Sequence, residues 1–164
     1  MHRLDNEIAL VTGATRGIGR AIADELGRLG ATVIGTATSA EGAEKITAHF
    51  SANSIKGCGL VLDVRDQASI ESALKVAAER HGDPGILVNN AGITRDNLLL
   101  RMKDEEWSDI LETNLGSVFR LSRACLRTMM KARKGRIINI SSVVALTGNP
   151  GQSNYAASKS GIIG

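Results

Sequence analysis

Aromatic residues are scarce in this chain, and so are proline, cysteine and histidine. Its 164 residues include one Trp, one Tyr, two Phe, two Pro, two Cys and three His. The histidines His2, His49 and His81 are scattered and have no second His or Cys at metal-ligand spacing, so we expect no zinc or iron site. With so few aromatic side chains, the core must be built from Val, Ile, Leu and Ala.

Long hydrophobic runs and cysteine pairs are also absent. No segment approaches the roughly 18 apolar residues of a membrane span, and Asp5 and Glu7 precede the first apolar run, which does not fit a signal peptide. Cys58 and Cys125 form no paired framework, as is typical of a protein kept reduced. We therefore expect a cytoplasmic protein that does not bind a membrane.

The charge and length set two further limits. A net charge of +3 without a dense Lys/Arg block favours an anionic partner but not a nucleic acid. A chain of this length, with 43% hydrophobic residues, is expected to fold as one domain over residues 1–164.

Short aliphatic runs alternate with helical patterns along the whole chain. The runs are 8–11, 32–35, 60–62, 86–88 and 137–140, and the helical stretches are 17–29, 40–50, 67–81 and 104–133, with a last helix starting near Ser153. Continuous aliphatic runs indicate parallel strands covered on both faces. Because crossovers are right-handed, the order predicts an α/β fold: a doubly wound parallel sheet with helices on both faces.

A glycine-rich turn joins the first strand to the first helix. Residues 12–19 read TGATRGIG, so the candidate ligand contacts are Gly13, Thr15, Arg16, Gly17, Ile18 and Gly19. Glycines let the backbone approach phosphates, and a helix N-terminus offers unpaired N–H groups, so this turn predicts a dinucleotide site. The alternative is a tight connection with no ligand.

The end of the second strand lacks the carboxylate that usually holds the ribose of NAD. Residues 35–40 at the end of this strand contain no Asp or Glu, and the next carboxylate is Glu41. Arg16, Thr38 and Ser39 instead supply a cation and hydroxyls that suit a 2′-phosphate. The pattern predicts NADP, with a solvated Arg16 as the alternative.

Two more loops fall at the carboxyl edge of the predicted sheet. Asn90, Ala91 and Gly92 follow the fourth strand, and Asp63 and Val64 follow the third. This is the edge where open α/β sheets bind ligands, although asparagine-rich turns are often only turns. Asp63 could accept a hydrogen bond from an adenine amino group or cap the next helix.

The residue pattern most indicative of chemistry is Tyr155 with Lys159. Four positions apart on a helix, the two side chains share one face, where a lysine ammonium stabilises the phenolate and makes the tyrosine a better proton donor. The pair Ser141 and Ser142 follows the fifth strand and could donate a hydrogen bond nearby. The alternative is a surface Tyr and Lys on an ordinary helix.

Taken together, these motifs resemble the short-chain dehydrogenase/reductase family, which shares the signatures TGxxxGxG, NNAG and YxxxK in this order. The resemblance spans the chain and implies a Rossmann-like fold, NADPH as cofactor, and Asn114, Ser142, Tyr155 and Lys159 as the catalytic residues. It also implies that Tyr155 and Lys159 contact the cofactor. The chain stops at Gly164, where family members continue with further strands, so we expect an incomplete C-terminus.

Residues 35–39, 90–107 and 154–159 are similar to the branch of the family that reduces 3-oxoacyl thioesters held on acyl-carrier protein. That similarity implies a homotetramer for the complete protein and matches Arg133 to an arginine that docks the acidic carrier. Arg133 continues a basic stripe that contains Arg120, Arg123, Arg127 and Lys131, which could also be a solvated face. The alternatives are a reductase of coenzyme A thioesters and a non-catalytic dinucleotide-binding module.

Overall fold

Five parallel strands form a single sheet in the computed structural model, which describes residues 3–164. The strands are β1 (Ile8–Val11), β2 (Thr32–Ala37), β3 (Gly57–Val61), β4 (Ile86–Asn89) and β5 (Arg136–Asn139), and their spatial order is β3-β2-β1-β4-β5. The strand order reverses between β1 and β4, which pair directly. A crevice therefore opens at the carboxyl ends of these two strands. The predicted parallel α/β sheet is confirmed.

Seven α-helices accompany the sheet in the described residues: α1 (Gly17–Arg28), α2 (Ala40–Ala52), α3 (Gln67–Arg80), α4 (Asp104–Ile110), α5 (Ser117–Ala132), α6 (Val144–Thr147) and α7 (Ser153–Ile163). The helix predicted over 104–133 is confirmed as one helical stretch, in which a π-helical turn at Leu111–Gly116 joins α4 to α5 with helical backbone angles at both junctions. The short α6 and a 3₁₀ turn at Leu99–Arg101 were not predicted, since elements of three or four residues carry no periodic pattern.

The core has two layers, one on each face of the sheet. Leu10 and Leu87 belong to a buried cluster with Leu121 of α5, whereas Val11 and Val88 belong to a second cluster that holds residues of α1 and α2. Neighbouring residues of one strand point to opposite faces, so each strand must be apolar on both sides. This explains why the strands are uninterrupted aliphatic runs.

Strand β3 starts earlier than the sequence predicts, because it contains two glycines that usually disfavour strands. A Cβ atom at Gly59 would overlap the carbonyl oxygen of Ala43 on α2. The glycine thus lets α2 lie directly on the strand backbone. No helix in the described part of the chain is both long and apolar enough to cross a membrane.

Candidate active site

A cleft of about 920 Å³ runs along the carboxyl edge of the sheet, and a second cleft of about 440 Å³ continues it toward α7. The predicted ligand contacts that line the first cleft are Gly13, Thr15, Arg16, Gly17, Ile18, Gly19, Thr38, Asp63, Val64, Asn90, Ala91 and Gly92. Tyr155 and Lys159 line the second, together with four of the same residues. The fold therefore brings all the predicted cofactor contacts to one continuous site, although their contact with a cofactor stays a prediction.

The glycine-rich turn presents the free start of α1 to this cleft. A Cβ atom at Gly19 would lie 2.5 Å from Nδ2 of Asn90 and closer still to the Gly13 carbonyl oxygen, so the turn is packed too tightly for any other residue. No side chain among residues 3–164 caps the N-terminus of α1. Its unpaired N–H groups and partial positive charge fit a pyrophosphate.

Thr12 and Asn90 join the turn after β1 to the loop after β4. The Thr12 hydroxyl accepts hydrogen bonds from the backbone N–H groups of Asn90 (3.0 Å) and Ala91 (2.9 Å). The Asn90 amide donates in return to the carbonyl oxygens of Thr12 (2.9 Å) and Gly13 (3.2 Å). Asn90 thus shapes the glycine-rich turn as well as lining the cleft. Thr12 begins the TGATRGIG motif, but its role in joining the two loops was not predicted.

The hydroxyl groups after β2 have different environments. The Ser39 hydroxyl caps α2 by accepting a hydrogen bond from the backbone N–H of Gly42 at 3.1 Å. Thr38 and Arg16 are exposed on the cleft wall, and Arg16 forms no ion pair with any residue between 3 and 164. Arg16 and Thr38 are therefore the groups free to meet a 2′-phosphate, while Ser39 stabilises the helix beside them.

Asp63 does not cap a helix, which removes one of the two alternatives considered for it. The N-cap of α3 is Asp66, whose side chain accepts a hydrogen bond from the backbone N–H of Ala68 at 3.0 Å. The Asp63 carboxylate accepts one hydrogen bond from the backbone N–H of Arg65 and others from its guanidinium. The backbone bond, followed by the side-chain bonds, holds the pKa of Asp63 below its usual value. Asp63 is therefore an ionised acceptor on the cleft wall near neutral pH.

Lys159 and Tyr155 lie together at the other end of the site. The Lys159 ammonium donates to the Ile140 carbonyl oxygen at 2.7 Å and lies 5.8 Å from the centroid of the Tyr155 ring. Burial lowers the pKa of Lys159. The Tyr155 hydroxyl makes no hydrogen bond to any side chain or backbone group of residues 3–164, so its proton is available to a ligand.

The two serines after β5 have separate structural roles. The Ser141 hydroxyl donates to the backbone carbonyl of Lys159 at 2.9 Å, which commits its proton. The Ser142 hydroxyl accepts from the backbone N–H of Val144 at 3.3 Å, so its own proton remains free. Ser141 lines the second cleft, whereas Ser142 is not among the residues between 3 and 164 that line it. The free proton nevertheless favours Ser142 as the donor.

Asn114 lies behind the cleft, on the π-helical turn between α4 and α5. Its amide donates to the Ile93 carbonyl (3.0 Å) and the Ser158 hydroxyl (3.3 Å), and its oxygen accepts from the Ile93 backbone N–H (2.9 Å). A Cβ atom at Gly92 would lie 3.2 Å from the Asn114 oxygen and 3.8 Å from the Lys159 nitrogen. Asn114 thus anchors the loop after β4 next to Lys159, with both of its N–H donors already used.

One cation of the basic stripe on α5 forms an ion pair with a carboxylate, and within the described part of the chain the others do not. Arg120 is half-buried and forms an ion pair with Glu112, whereas the others are exposed and meet no carboxylate among residues 3–164: Arg123, Arg127, Lys131 and Arg133. Arg133 ends α5 with a φ of 51°, a left-handed conformation that favours glycine.

Sequence reasoning missed several residues of the cleft. Arg65, Asp109 and Thr113 line it, but they belong to no recognised motif. A polar residue just after a strand is the one signal that could have pointed to Arg65. Among residues 3–164, no group of three or more His, Cys, Asp or Glu side chains is placed to hold a metal ion.

A cleft at the strand-order reversal, next to a Tyr-Lys pair on one helix, is typical of Rossmann-like proteins that bind dinucleotides. The short chain dehydrogenase family model matches residues 7–164, and the chain belongs to that family.

Among its relatives is the 3-oxoacyl-(acyl-carrier-protein) reductase FabG of Pseudomonas aeruginosa, 63% identical over 98% of this chain and 65% of that protein. The Escherichia coli protein of the same name is 64% identical over 98% of this chain and 64% of its own length. The chain thus spans about 65% of the length of the curated relatives it matches. A solved structure described as a short-chain alcohol dehydrogenase of Sinorhizobium meliloti superposes with a TM-score of 0.93 at 38% identity, covering 99% of this chain and 64% of that one.

Proposed function

We propose that the protein reduces 3-oxoacyl thioesters of acyl-carrier protein to the 3-hydroxyacyl products, with NADPH as cofactor. The observation that carries this proposal is the continuity between the nucleotide cleft and the Tyr155–Lys159 pair. The identity of 63–64% to reductases named for this reaction supports the choice of substrate. The two buried free cysteines fit a reducing compartment, so we place the reaction in the cytoplasm.

The residues of the cleft suit NADPH in both charge and shape. The start of α1 would face the pyrophosphate, Arg16 and Thr38 the 2′-phosphate, and Asp63 the adenine amino group. The packed glycine-rich turn leaves the backbone N–H groups open to the phosphates, because Gly19 has no side chain to displace them. Bound NADPH would supply the hydride.

The groups around the second cleft would handle the substrate oxygen. As the carbonyl oxygen gains negative charge, Tyr155 donates its proton to it and the Ser142 hydroxyl donates a hydrogen bond to the same atom. The Lys159 ammonium has one proton committed to Ile140, so two remain to hold the nicotinamide ribose and stabilise the phenolate. Asn114 would position a water that resupplies the proton, through the one acceptor site left on its oxygen.

The proposal is tested by following oxidation of NADPH with 3-oxoacyl-acyl-carrier protein and with the matching coenzyme A thioester. We expect turnover with the carrier-protein substrate. Turnover of only the coenzyme A thioester would assign the protein to a different reductase of the family. Binding of NADPH without turnover of either thioester would identify a non-catalytic dinucleotide-binding module.

Arg16→Ala is expected to remove most of the preference for NADPH over NADH. Charge-assisted contacts to phosphate are worth about 1.5 to 3 kcal/mol, which is about ten- to a hundredfold in affinity. Cofactor titration of the parent and the variant measures the change. Arg20→Ala is the matched control, because Arg20 is an exposed arginine in the first turn of α1, close to Arg16 in sequence, but does not line the cleft. Equal affinity of the parent protein for the two cofactors would refute the assignment of NADPH.

Arg133 occupies a backbone position that is energetically unfavourable for arginine. An arginine kept there at a cost to the fold suggests a role in binding, and docking of the acidic carrier protein is such a role. A non-glycine residue in the left-handed region costs about 1 to 2 kcal/mol, and the usual residue after a helix is glycine. A cation kept there, exposed and unpaired within residues 3–164, fits a role outside the fold.

Arg133→Ala and Arg133→Gly separate docking from stability. Both substitutions remove the guanidinium, so both should lower turnover of the carrier-protein substrate and make that turnover less dependent on salt. Turnover of a small thioester should not change. Only Arg133→Gly should stabilise the fold, by about 1 kcal/mol, because only glycine relieves the backbone. Steady-state kinetics and denaturant unfolding measure the two effects. Equal loss with both substrates would end the docking assignment.

We also infer that the complete protein is a homotetramer in which α5 and α7 meet a second copy. Phe119, Leu126 and Met130 expose apolar surface on α5, as Ile163 does on α7. Exposed apolar side chains grouped on adjacent helices favour association. Sedimentation analysis would measure the oligomeric state.

A further inference from the structure

Arg65 bridges two walls of the first cleft, which Tyr155 does not line. It lies between the Asp63 carboxylate, which follows β3, and the Asp109 carboxylate on α4, 3.9 Å from Nη1. All three residues line the cleft. We propose that Arg65 is a positioning residue that keeps the Asp63 carboxylate turned toward an adenine base and so makes the site selective for adenine over other purines. This inference rests on the proposed use of NADPH.

The hydrogen bonds of Asp63 leave one acceptor position for a ligand. Oδ1 accepts from the Arg65 backbone N–H at 2.9 Å and from Nε at 3.4 Å, and Oδ2 accepts from Nη2 at 3.3 Å. A carboxylate offers about four acceptor positions, so one on Oδ2 has no partner within residues 3–164. The amino group of adenine can donate to it. Hypoxanthine, which carries a carbonyl oxygen in place of that amino group, would be repelled.

The guanidinium is needed because the Asp63 side chain is otherwise loosely held. That side chain is 41% exposed, and its only hydrogen-bond partner within residues 3–164, besides the Arg65 side chain, is the Arg65 backbone N–H. The backbone bond fixes one oxygen but leaves the carboxylate free to turn about it. The planar guanidinium of Arg65, whose N–H groups point in two directions like a fork, restrains Oδ2 of Asp63. The Asp109 carboxylate on the other wall of the cleft in turn restrains the guanidinium.

Arg65 also separates two like charges. Without its guanidinium, Asp63 and Asp109 would both face the cleft as uncompensated carboxylates, which would repel any dinucleotide. Loss of Arg65 should therefore weaken every dinucleotide somewhat. Only the positioning role predicts a further, selective loss for ligands that carry the adenine amino group.

The test compares binding of NADPH with binding of its hypoxanthine analogue, by titration of the protein without substrate. A hydrogen bond to a charged group supports a preference of the parent for NADPH of about tenfold or more. Arg65→Ala keeps the backbone N–H but loses the fork, so its preference should fall to about threefold or less. Arg95→Ala is the matched control, because Arg95 also lines the cleft and its guanidinium donates a hydrogen bond only to the Thr94 carbonyl within residues 3–164, so the preference should be kept.

Each result decides between the inference and the function on which it rests. A parent protein that fails to bind NADPH would refute the proposed cofactor. A parent that binds both ligands equally, or an Arg65→Ala variant that keeps the parent's preference, would overturn the positioning role alone. Should Arg65→Ala melt at a lower temperature, Arg65→Lys takes its place: it keeps the charge but has no fork, so the preference should again fall. Full preference with lysine would overturn the inference.

Discussion

Tyr155→Phe is expected to lower the rate of thioester reduction by about 10²- to 10⁴-fold, the usual effect of losing a general acid. The substitution removes one oxygen atom, and that atom makes no hydrogen bond to any residue between 3 and 164. The fold therefore loses no internal bond, and binding of NADPH should persist. The loss should appear in turnover with little change in cofactor affinity.

Single-turnover kinetics with saturating NADPH measures this effect, and thermal unfolding together with cofactor titration provides the controls. A Tyr155→Phe protein with parental turnover would overturn Tyr155 as the proton donor. A fall in both melting temperature and cofactor affinity would show instead that the hydroxyl stabilises the site rather than supplying the proton.

Lys159→Ala is expected to lower both turnover and cofactor affinity. The ammonium is the buried cation beside the Tyr155 ring, and we assign it two tasks, holding the ribose and stabilising the phenolate. Loss of a charge-assisted bond to the ribose should weaken NADPH binding about tenfold or more, and the loss of phenolate stabilisation should slow proton transfer in addition.

Lys159→Met distinguishes the charge from the packing. Methionine fills much of the space of the lysine stem but carries no ammonium, so it should reproduce the loss of NADPH affinity seen with alanine. Both substitutions leave the Ile140 carbonyl without its donor, so thermal unfolding is measured for each. Parental cofactor affinity in Lys159→Met would contradict the ribose contact, and parental turnover would contradict the role beside Tyr155.

The π-helical turn determines the environment of Asn114, about which the sequence makes no prediction. Asn114 is 1% exposed and both of its N–H donors are used within the fold. Sequence spacing cannot distinguish a continuous helix from α4 and α5 joined by a wider turn, because the apolar pattern passes through both. The change in helical geometry is what turns Asn114 toward Ile93 and Ser158.

The sequence by itself determined the strands, the sheet edge and the Tyr155–Lys159 face. These features depend on local order along the chain: aliphatic runs covered on both faces, a glycine-rich turn between strand and helix, and a spacing of four on one helix. It also determined that the predicted loops after the strands reach one cleft, since the carboxyl ends of parallel strands meet at one edge, but not that Arg65, Asp109 and Thr113 line it as well.

Only the tertiary structure decided how hydroxyl, amide and charged groups are shared among partners. Ser39 caps a helix, Ser141 binds the backbone of Lys159, Asp66 rather than Asp63 caps α3, and Arg65 lies between two carboxylates. Each of these groups could bond to several partners with similar strength, so its choice depends on which of them the packed elements bring within about 3 Å. For Ser141 and for the Arg65–Asp109 pair the partner is remote in sequence, so no local pattern contains it. For Ser39, Asp63 and Asp66 the partner is local, but the packed elements decide which of the nearby hydroxyls and carboxylates makes the bond.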